Sequence, residues 1–308
     1  MITVGGFNSS IDRQAEVARF RAGAVNRLTA VSAHPGGKGV HVAQACAILG
    51  EPVRLVGIVD AAHTSLFHDV LTSRRIDWRP LPIDQSIRSC YAIRDDDGAI
   101  TELLEPGPCL ADRDVKQLER LFLDACDGAG AAVLSGSLPR GCPDDLYARL
   151  VERLHAAGIP VIVDTSGAPL ACAVEARPTV VKPNAEEAGR LTGREIADVP
   201  SALPALEILA ARGLPRIVIS LGPAGAVASW DGRLALVDVP PQRGGSAVGS
   251  GDCFVGALAA GLVRGQDADA TLRRAAACAA ANVLSPEPGF FRIEDADRLM
   301  EAVEVRWL

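Results

Sequence analysis

The feature that most restricts the fold of this chain is an alternation: short apolar runs rich in β-branched residues are followed repeatedly by longer amphipathic ones. Strands and helices in that succession make βα units, which bury both faces of a mostly parallel sheet beneath helices. The pattern predicts strands near 2–6, 53–59, 131–136, 160–164, 178–182, 216–221 and 226–230. Helices are predicted near 38–49, 64–75, 112–126, 143–157, 184–191, 201–212, 252–264, 267–284 and 294–304. One stretch breaks the rhythm. Residues 86–107, SIRSCYAIRDDDGAITELLEPG, read as two strands joined by a turn at Asp97-Gly98 with no helix between them. Residues 9–32 also lack a strand-and-helix cycle, so the two segments together are expected to form a small separate sheet suited to a lid or a dimer contact. The alternative is an antiparallel edge added to the main sheet.

Size and charge narrow the functional classes. A chain of 308 residues suits one large domain, or one domain with an insertion, because single cores stop growing near that length. A net charge of −7 disfavours a nucleic-acid partner, whose phosphate backbone is held by clustered Lys and Arg. A small anion, which needs only a few local cations, remains compatible. No apolar run reaches the roughly 18 residues of a spanning helix, and MITVGGFNSS lacks a basic segment leading into an apolar one, so no membrane role and a cytoplasmic location are expected. The eight cysteines stand singly, without C-x-x-C or metal-spaced histidines, and indicate neither a zinc site nor a disulfide framework. Lysine is rare, with only Lys38, Lys116 and Lys182, and two of these three fall in segments flanked by Gly and Pro.

The glycine-rich segments carry the chemistry. PGGKGVHVA is not a Walker A loop, having Ser32 and Gly39 where that motif needs Gly and Ser or Thr, and GSGDCFVG is not the dinucleotide fingerprint. Even so, Gly249, Ser250 and Gly251 precede an apolar helical run, where free amides and the helix dipole make an anion site. Asp252 would repel a resting anion there, but fits as the acceptor of a proton from a hydroxyl that attacks phosphorus. The same four residues also fit a plain helix start, with Ser250 as N-cap and Asp252 in the first turn. In VVKPNAEEAGRLTG, Lys182 ends a strand and Asn184, Glu186 and Glu187 open a helix, a set able to hold Mg²⁺ through water or to act as an ordinary acidic first turn.

In order along the chain, FNSSID (7–12), GAVNR (23–27), PGGKG (35–39), TELLEPGP (101–108), SGSLPRG (135–141), DTSG (164–167), VKPN (181–184), SLGPAGA (220–226) and VGSGD (248–252) resemble the PfkB carbohydrate kinases, and within them the 1-phosphofructokinase and tagatose-6-phosphate kinase branch. The resemblance implies a ribokinase-like α/β fold, with a mostly parallel central sheet, helices on both faces and a small β-sheet lid. It implies one kinase domain over 1–308 with the lid built from about 9–32 and 84–106, often used for dimerisation. ATP and Mg²⁺ are the implied cofactors and a sugar phosphate the implied partner. By position, Asp252 matches the catalytic base and Gly249, Ser250 and Gly251 the anion hole. Asp12, Gly36, Gly37, Lys38, Glu102 and Ser137 match the sugar side, Arg88 the arginine that meets an existing phosphate, and Arg27 is a second phosphate candidate. Lys182, Asn184, Glu187, Ser220, Gly222, Gly225 and Asn282 match the nucleotide side, with Asn184 and Glu187 next to the metal through water.

The departures from the branch pattern lie at Ser9-Ser10, at His41 where Asn is usual, at Cys90, and at Ser250 where Ala is usual, a small residue that still fits and is expected to have little effect. His41 can bond a hydroxyl or a phosphate, or be a satisfied surface histidine with no such task. The expected activity is phosphorylation of a hexose phosphate, fructose 1-phosphate to fructose 1,6-bisphosphate first. The alternatives are tagatose 6-phosphate or fructose 6-phosphate, an unphosphorylated sugar or nucleoside, or a non-catalytic sugar-phosphate sensor.

Overall fold

A computed structural model describes residues 1–242 and 246–308. The first third holds β1 (Ile2–Gly5), β2 (Ser10–Val17), β3 (Ala30–Gly36), α1 (Lys38–Ile48), β4 (Val53–Asp60), α2 (Thr64–Ser73), β5 (Ile76–Ile83), β6 (Arg88–Asp95) and β7 (Ile100–Leu104). The middle holds α3 (Asp112–Ala125), β8 (Ala131–Ser135), α4 (Leu146–Ala156), β9 (Val161–Asp164), α5 (Gly167–Glu175), β10 (Val180–Val181), α6 (Ala185–Thr192) and α7 (Val199–Ala211). The last part holds β11 (Arg216–Ser220), β12 (Ala226–Trp230), β13 (Arg233–Asp238), α8 (Ser250–Val263), α9 (Ala268–Val283), α10 (Ile293–Met300) and β14 (Glu304–Trp307).

The main sheet has the order β14-β13-β12-β11-β10-β9-β8-β1-β4-β5. From β5 to β11 every pairing is parallel, and β12, β13 and β14 extend that edge antiparallel. Helices on both faces bury the central strands, which is why β1, β8 and β9 read as continuous apolar runs rather than alternating ones. The strand order reverses between β1 and β8, and in such sheets ligands bind beyond the carboxyl ends of the strands at that reversal. Asn8 follows β1, Gly136 and Ser137 follow β8, Asp164 ends β9, Lys182 follows β10 and Ser220 ends β11, so all gather at one edge. Helices α1 and α8 pack against each other across the same region.

The predicted small sheet forms separately, in the order β3-β2-β6-β7, and does not extend the main sheet. β2 and β6 run parallel, with β3 and β7 antiparallel on the outside. Three strands and a helix lie outside the sequence expectation. β5, IDWRPLPI, carries two prolines and survives as a strand because it is an edge of the main sheet. β13 follows a tight Asp231-Gly232 turn, both residues at positive φ. β14 occupies the end of the segment expected to continue the last helix, which stops at Met300, and α5 is a short helix of small residues.

Candidate active site

Helix α8 opens on Gly249, at φ +83°, and no side chain caps it. Ser250, the candidate cap, lies one step inside, where its hydroxyl accepts from Asn282 Nδ2 at 3.0 Å. The Ser250 and Asp252 amides donate to Ala247 O and Gly249 O, whereas those of Gly249 and Gly251 meet no acceptor among the described residues. Unpaired amides at a helix start, backed by the helix dipole, form an anion hole. Glycine is required at 249 for its positive φ and because a Cβ there would lie 2.2 Å from the Gly289 backbone nitrogen.

A pair of cations lies below these amides. Lys182 Nζ sits 3.5 Å from where a Cβ on Gly251 would be, and is 3.1 Å from Asp164 Oδ1. Lys38 Nζ is 3.2 Å from the other oxygen, Oδ2. Burial of Asp164 works against its charge, yet the two ammonium groups hold its carboxyl below the usual range. Lys38 in turn is kept protonated well above the ordinary lysine value, first by Asp164 and further by Asp252 and Glu187. Two cations on one carboxylate leave a net positive charge beneath the amides, suited to a transferring phosphoryl group.

Asp252 is buried in the first turn of α8, with Oδ2 3.0 Å from His41 Nδ1. The other ring nitrogen of His41, Nε2, is 3.1 Å from Asp12 Oδ2. His41 was expected to reach a hydroxyl or phosphate; both of its ring nitrogens lie on carboxylates instead. Burial alone would lower its pKa, but the bonds to Asp12 and Asp252 and their charges raise it to about 10. Asp12 is opposed by burial too, and is held below its usual value by His41, by the Ser10 hydroxyl 2.7 Å from Oδ1 and by the Gly37 amide. Gly36 makes this possible, since a Cβ there would fall 2.0 Å from Asp12 Cγ.

Pairing in the small sheet sets the rest of this face. Ser10 lies opposite Arg88, Asp12 opposite Cys90, and Ala92 opposite both Gln14 and Glu102, so all project to one side. The departures at Ser10, His41 and Cys90 thus converge on one carboxylate, that of Asp12. The Arg88 guanidinium donates to Asn8 O at 3.2 Å and pairs with no carboxylate among the described residues. Partial burial and the charge of Asp12 push the Glu102 carboxyl up. The same face runs on into a cavity of about 300 Å³ lined by Gln14, Glu16 and Arg94, with Pro286 and Pro288 opposite. Ser137 accepts from Asn8 Nδ2 at 3.0 Å. Arg27 lies apart, on the exposed segment between β2 and β3, and no hydrogen bond or ion pair joins it to the other candidates.

On the nucleotide side, Asn184 and Glu187 form a capping box: Glu187 N–H donates to Asn184 Oδ1 at 2.8 Å and Asn184 N–H to Glu187 Oε2 at 2.9 Å. The acidic first turn is therefore a genuine helix cap. It still leaves the second Glu187 oxygen for a water on a magnesium ion. No cluster of three or more His, Cys, Asp or Glu side chains that could hold a metal ion occurs among the described residues. Ser220 N–H donates to Pro183 O at 3.1 Å, bringing the turn carrying Gly222 and Gly225 beside Asn184. Asn282, expected by the nucleotide, is buried under the anion-hole turn, its amide donating to Val248 O at 2.9 Å and to Ser250 Oγ. Asp164 and Asn8 sit in quoted motifs but were not singled out as candidates. Asn8 Oδ1 is buried without a hydrogen-bond partner among the described residues. Gly289, seated against Gly249 and His41, carries no local sequence signal at all.

Residues 2–295 match the family described as pfkB family carbohydrate kinase. A tagatose-6-phosphate kinase from Staphylococcus epidermidis is 30% identical over 308 residues, 99% of each chain. A mutant of phosphofructokinase-2 from Escherichia coli superposes with a TM-score of 0.90 at 27% identity, covering 98% of each chain. A possible 1-phosphofructokinase from Thermotoga maritima shares the fold with a TM-score of 0.89 at 22% identity, over 100% of this chain and 99% of the other. The ordered motifs, the sheet and the gathered site are accounted for together: the chain belongs to the pfkB family of carbohydrate kinases, phosphotransferases that act on a sugar hydroxyl.

Proposed function

We propose that this kinase transfers the γ-phosphoryl group of ATP to a free hydroxyl of a hexose phosphate, fructose 1-phosphate first, giving fructose 1,6-bisphosphate. The carrying observation is a cation, Arg88, that has no carboxylate partner among the described residues and lies on the same face of the small sheet as Asp12. In this reading Arg88 anchors the phosphate already present and Asp12 orients the sugar. Asp252 takes the proton of the attacking hydroxyl while the Gly249 and Gly251 amides, with Lys182 behind them, take the charge developing on the transferred group. Asn184 and Glu187 would hold the waters of Mg²⁺, which supplies charge neutralisation on the phosphates when bound. The small sheet is then the lid. Its opposite face carries Val31 and Leu103, 52% and 51% exposed, beside Tyr91 and Ile93, which suits a homodimer contact.

An ADP-release assay over fructose 1-phosphate, tagatose 6-phosphate, fructose 6-phosphate and the free sugars tests the reading. Turnover is expected only with hexose phosphates, and Arg88→Ala should raise KM about 10- to 100-fold, the value of a charged hydrogen bond. Turnover of a free sugar that Arg88→Ala leaves unchanged would replace the substrate; binding without turnover of any compound would replace the activity.

A further inference from the structure

The Asp12–His41–Asp252 row connects the two halves of the site through a single ring. His41 and Asp252 side chains are each 7% exposed and Asp12 is 18% exposed, so water does little of their solvation. Ionised carboxylates have no hydrogen to give, and each ring nitrogen faces one, so both nitrogens must carry a proton for the row to be satisfied. The ring packs directly against Gly289, where any larger residue would collide with it. A Cβ on Gly289 would stand 2.4–2.7 Å from His41 Cβ, Cγ and Cδ2, and Gly289 is itself tied to α1 by Gln44 Nε2, 3.4 Å from its carbonyl. Gln44 is in turn held by Arg74, whose guanidinium also pairs with Glu287 at 2.6 Å.

We propose that His41 is a positioning residue for phosphoryl transfer: an imidazolium strut that fixes the carboxylates of Asp12 and Asp252 relative to each other and reserves Asp252 Oδ1 for the sugar hydroxyl. The proposal rests on the reading of Asp252 as the base. In the step it serves, the sugar O–H bond breaks, its proton goes to Asp252 Oδ1, and the oxygen bonds to the γ-phosphorus as ADP leaves. The imidazolium keeps both of its protons throughout.

The charged and titratable groups around the ring are Asp12 on β2, Asp252 on α8, Lys38 in the first turn of α1, Cys90 on β6 and Glu102 on β7 beyond Asp12, and the Arg74–Glu287 pair behind Gln44. Of these, Lys38 bears on Asp252 by charge, and no hydrogen bond joins it to that carboxylate among the described residues. The raised pKa of His41 agrees with the doubly protonated form.

His41→Asn keeps a donor but not the charge or the second bond. Loss of the strut should act on the transition state more than on binding, so kcat should fall about 10-fold or more while sugar KM changes by less than about threefold. An unchanged kcat, or a rise confined to KM, would overturn the strut in favour of a filler or a direct sugar ligand. A second readout needs no turnover. With ¹⁵N-histidine, the one of five ring signals lost in His41→Asn, or in His41→Gln if the former does not fold, should show both nitrogens protonated through pH 8.5. A neutral ring at pH 8 would refute the strut even in an active enzyme. A charged ring in a protein that phosphorylates none of the sugars would keep the strut's charge and remove its catalytic task.

Discussion

Around Gly249–Asp252 the site is built from backbone amides and the fully buried Lys182–Asp164 ion pair on the carboxyl edge of the main sheet, whereas around Asp12 and Arg88 it is built from side chains on half-exposed strands of the small sheet. Amides held by a helix start and a pinned glycine cannot be retuned by substitution, because the chain itself is the ligand. Side chains on alternating strand positions can be exchanged singly without disturbing the sheet. Ser10 and Cys90 fall in the second kind of region, Ser250 in the first, and His41, on α1, stands between the two with one ring nitrogen on Asp12 and the other on Asp252. On the proposed reading, reaction class and sugar preference are carried by structurally different material joined at His41.

The largest effects belong to the phosphoryl end. Asp252→Asn should lower kcat about 10²- to 10⁴-fold in the ADP-release assay while leaving sugar binding measurable by calorimetry, since it removes the base and keeps the shape. Activity within a factor of a few of wild type would remove Asp252 from the chemistry. Gly249→Ala should cost about 10²-fold or more in kcat, because the added methyl meets the Gly289 backbone and displaces an anion-hole amide. Its counterpart on the sugar end, Gly36→Ala, presses on the Asp12 carboxylate and should act mainly on sugar KM, by about 10-fold. If both glycine variants changed kcat and KM in the same proportion, the division between the two ends would fail.

A stability test probes the same division at its base. Asp164→Leu leaves the buried Lys182 ammonium without its carboxylate, which should cost about 3–5 kcal/mol in chemical denaturation. Arg88→Ala, on the half-exposed side, should cost under about 1 kcal/mol while abolishing tight sugar-phosphate binding. Equal losses would mean that the small-sheet side is as integral to the core as the lysine pair.

How much of this was legible in the sequence also follows the division. The βα alternation exposed the main sheet because central strands with both faces covered are apolar from end to end, and the Asp97-Gly98 turn exposed the hairpin because few residues take positive φ there. The equivalent Asp231-Gly232 signal was present but lay against a short mixed strand, and β5 was hidden by prolines that only an edge position excuses. Family motifs located Asp252, Lys182 and Arg88 because each is local. What no local pattern contains is the meeting of positions 12, 41, 252 and 289, which are brought together by the packing of α1 on α8 and by the small sheet folding over both. Asn282 shows the same limit: the family resemblance put it on the nucleotide side, and only packing shows its amide on the turn before α8.

The joint between the two regions should also be visible in stability against pH, as the smallest of these effects. His41 binds its proton more tightly folded, at a pKa of about 10, than at its ordinary 6.5, so its contribution is complete below about pH 6.5 and is lost as the pH rises towards 10. Asp12 has the opposite sign. Its carboxyl is held below 3.8, so its contribution is present above that value and is lost as the pH falls through the lower folded one. The melting temperatures of wild type and His41→Asn should therefore differ most between about pH 4 and 6.5 and converge towards pH 10, by a few degrees in all. A difference that stayed constant over that range would mean that the row of three side chains contributes packing alone, and that the two ends of the site are joined by shape rather than by charge.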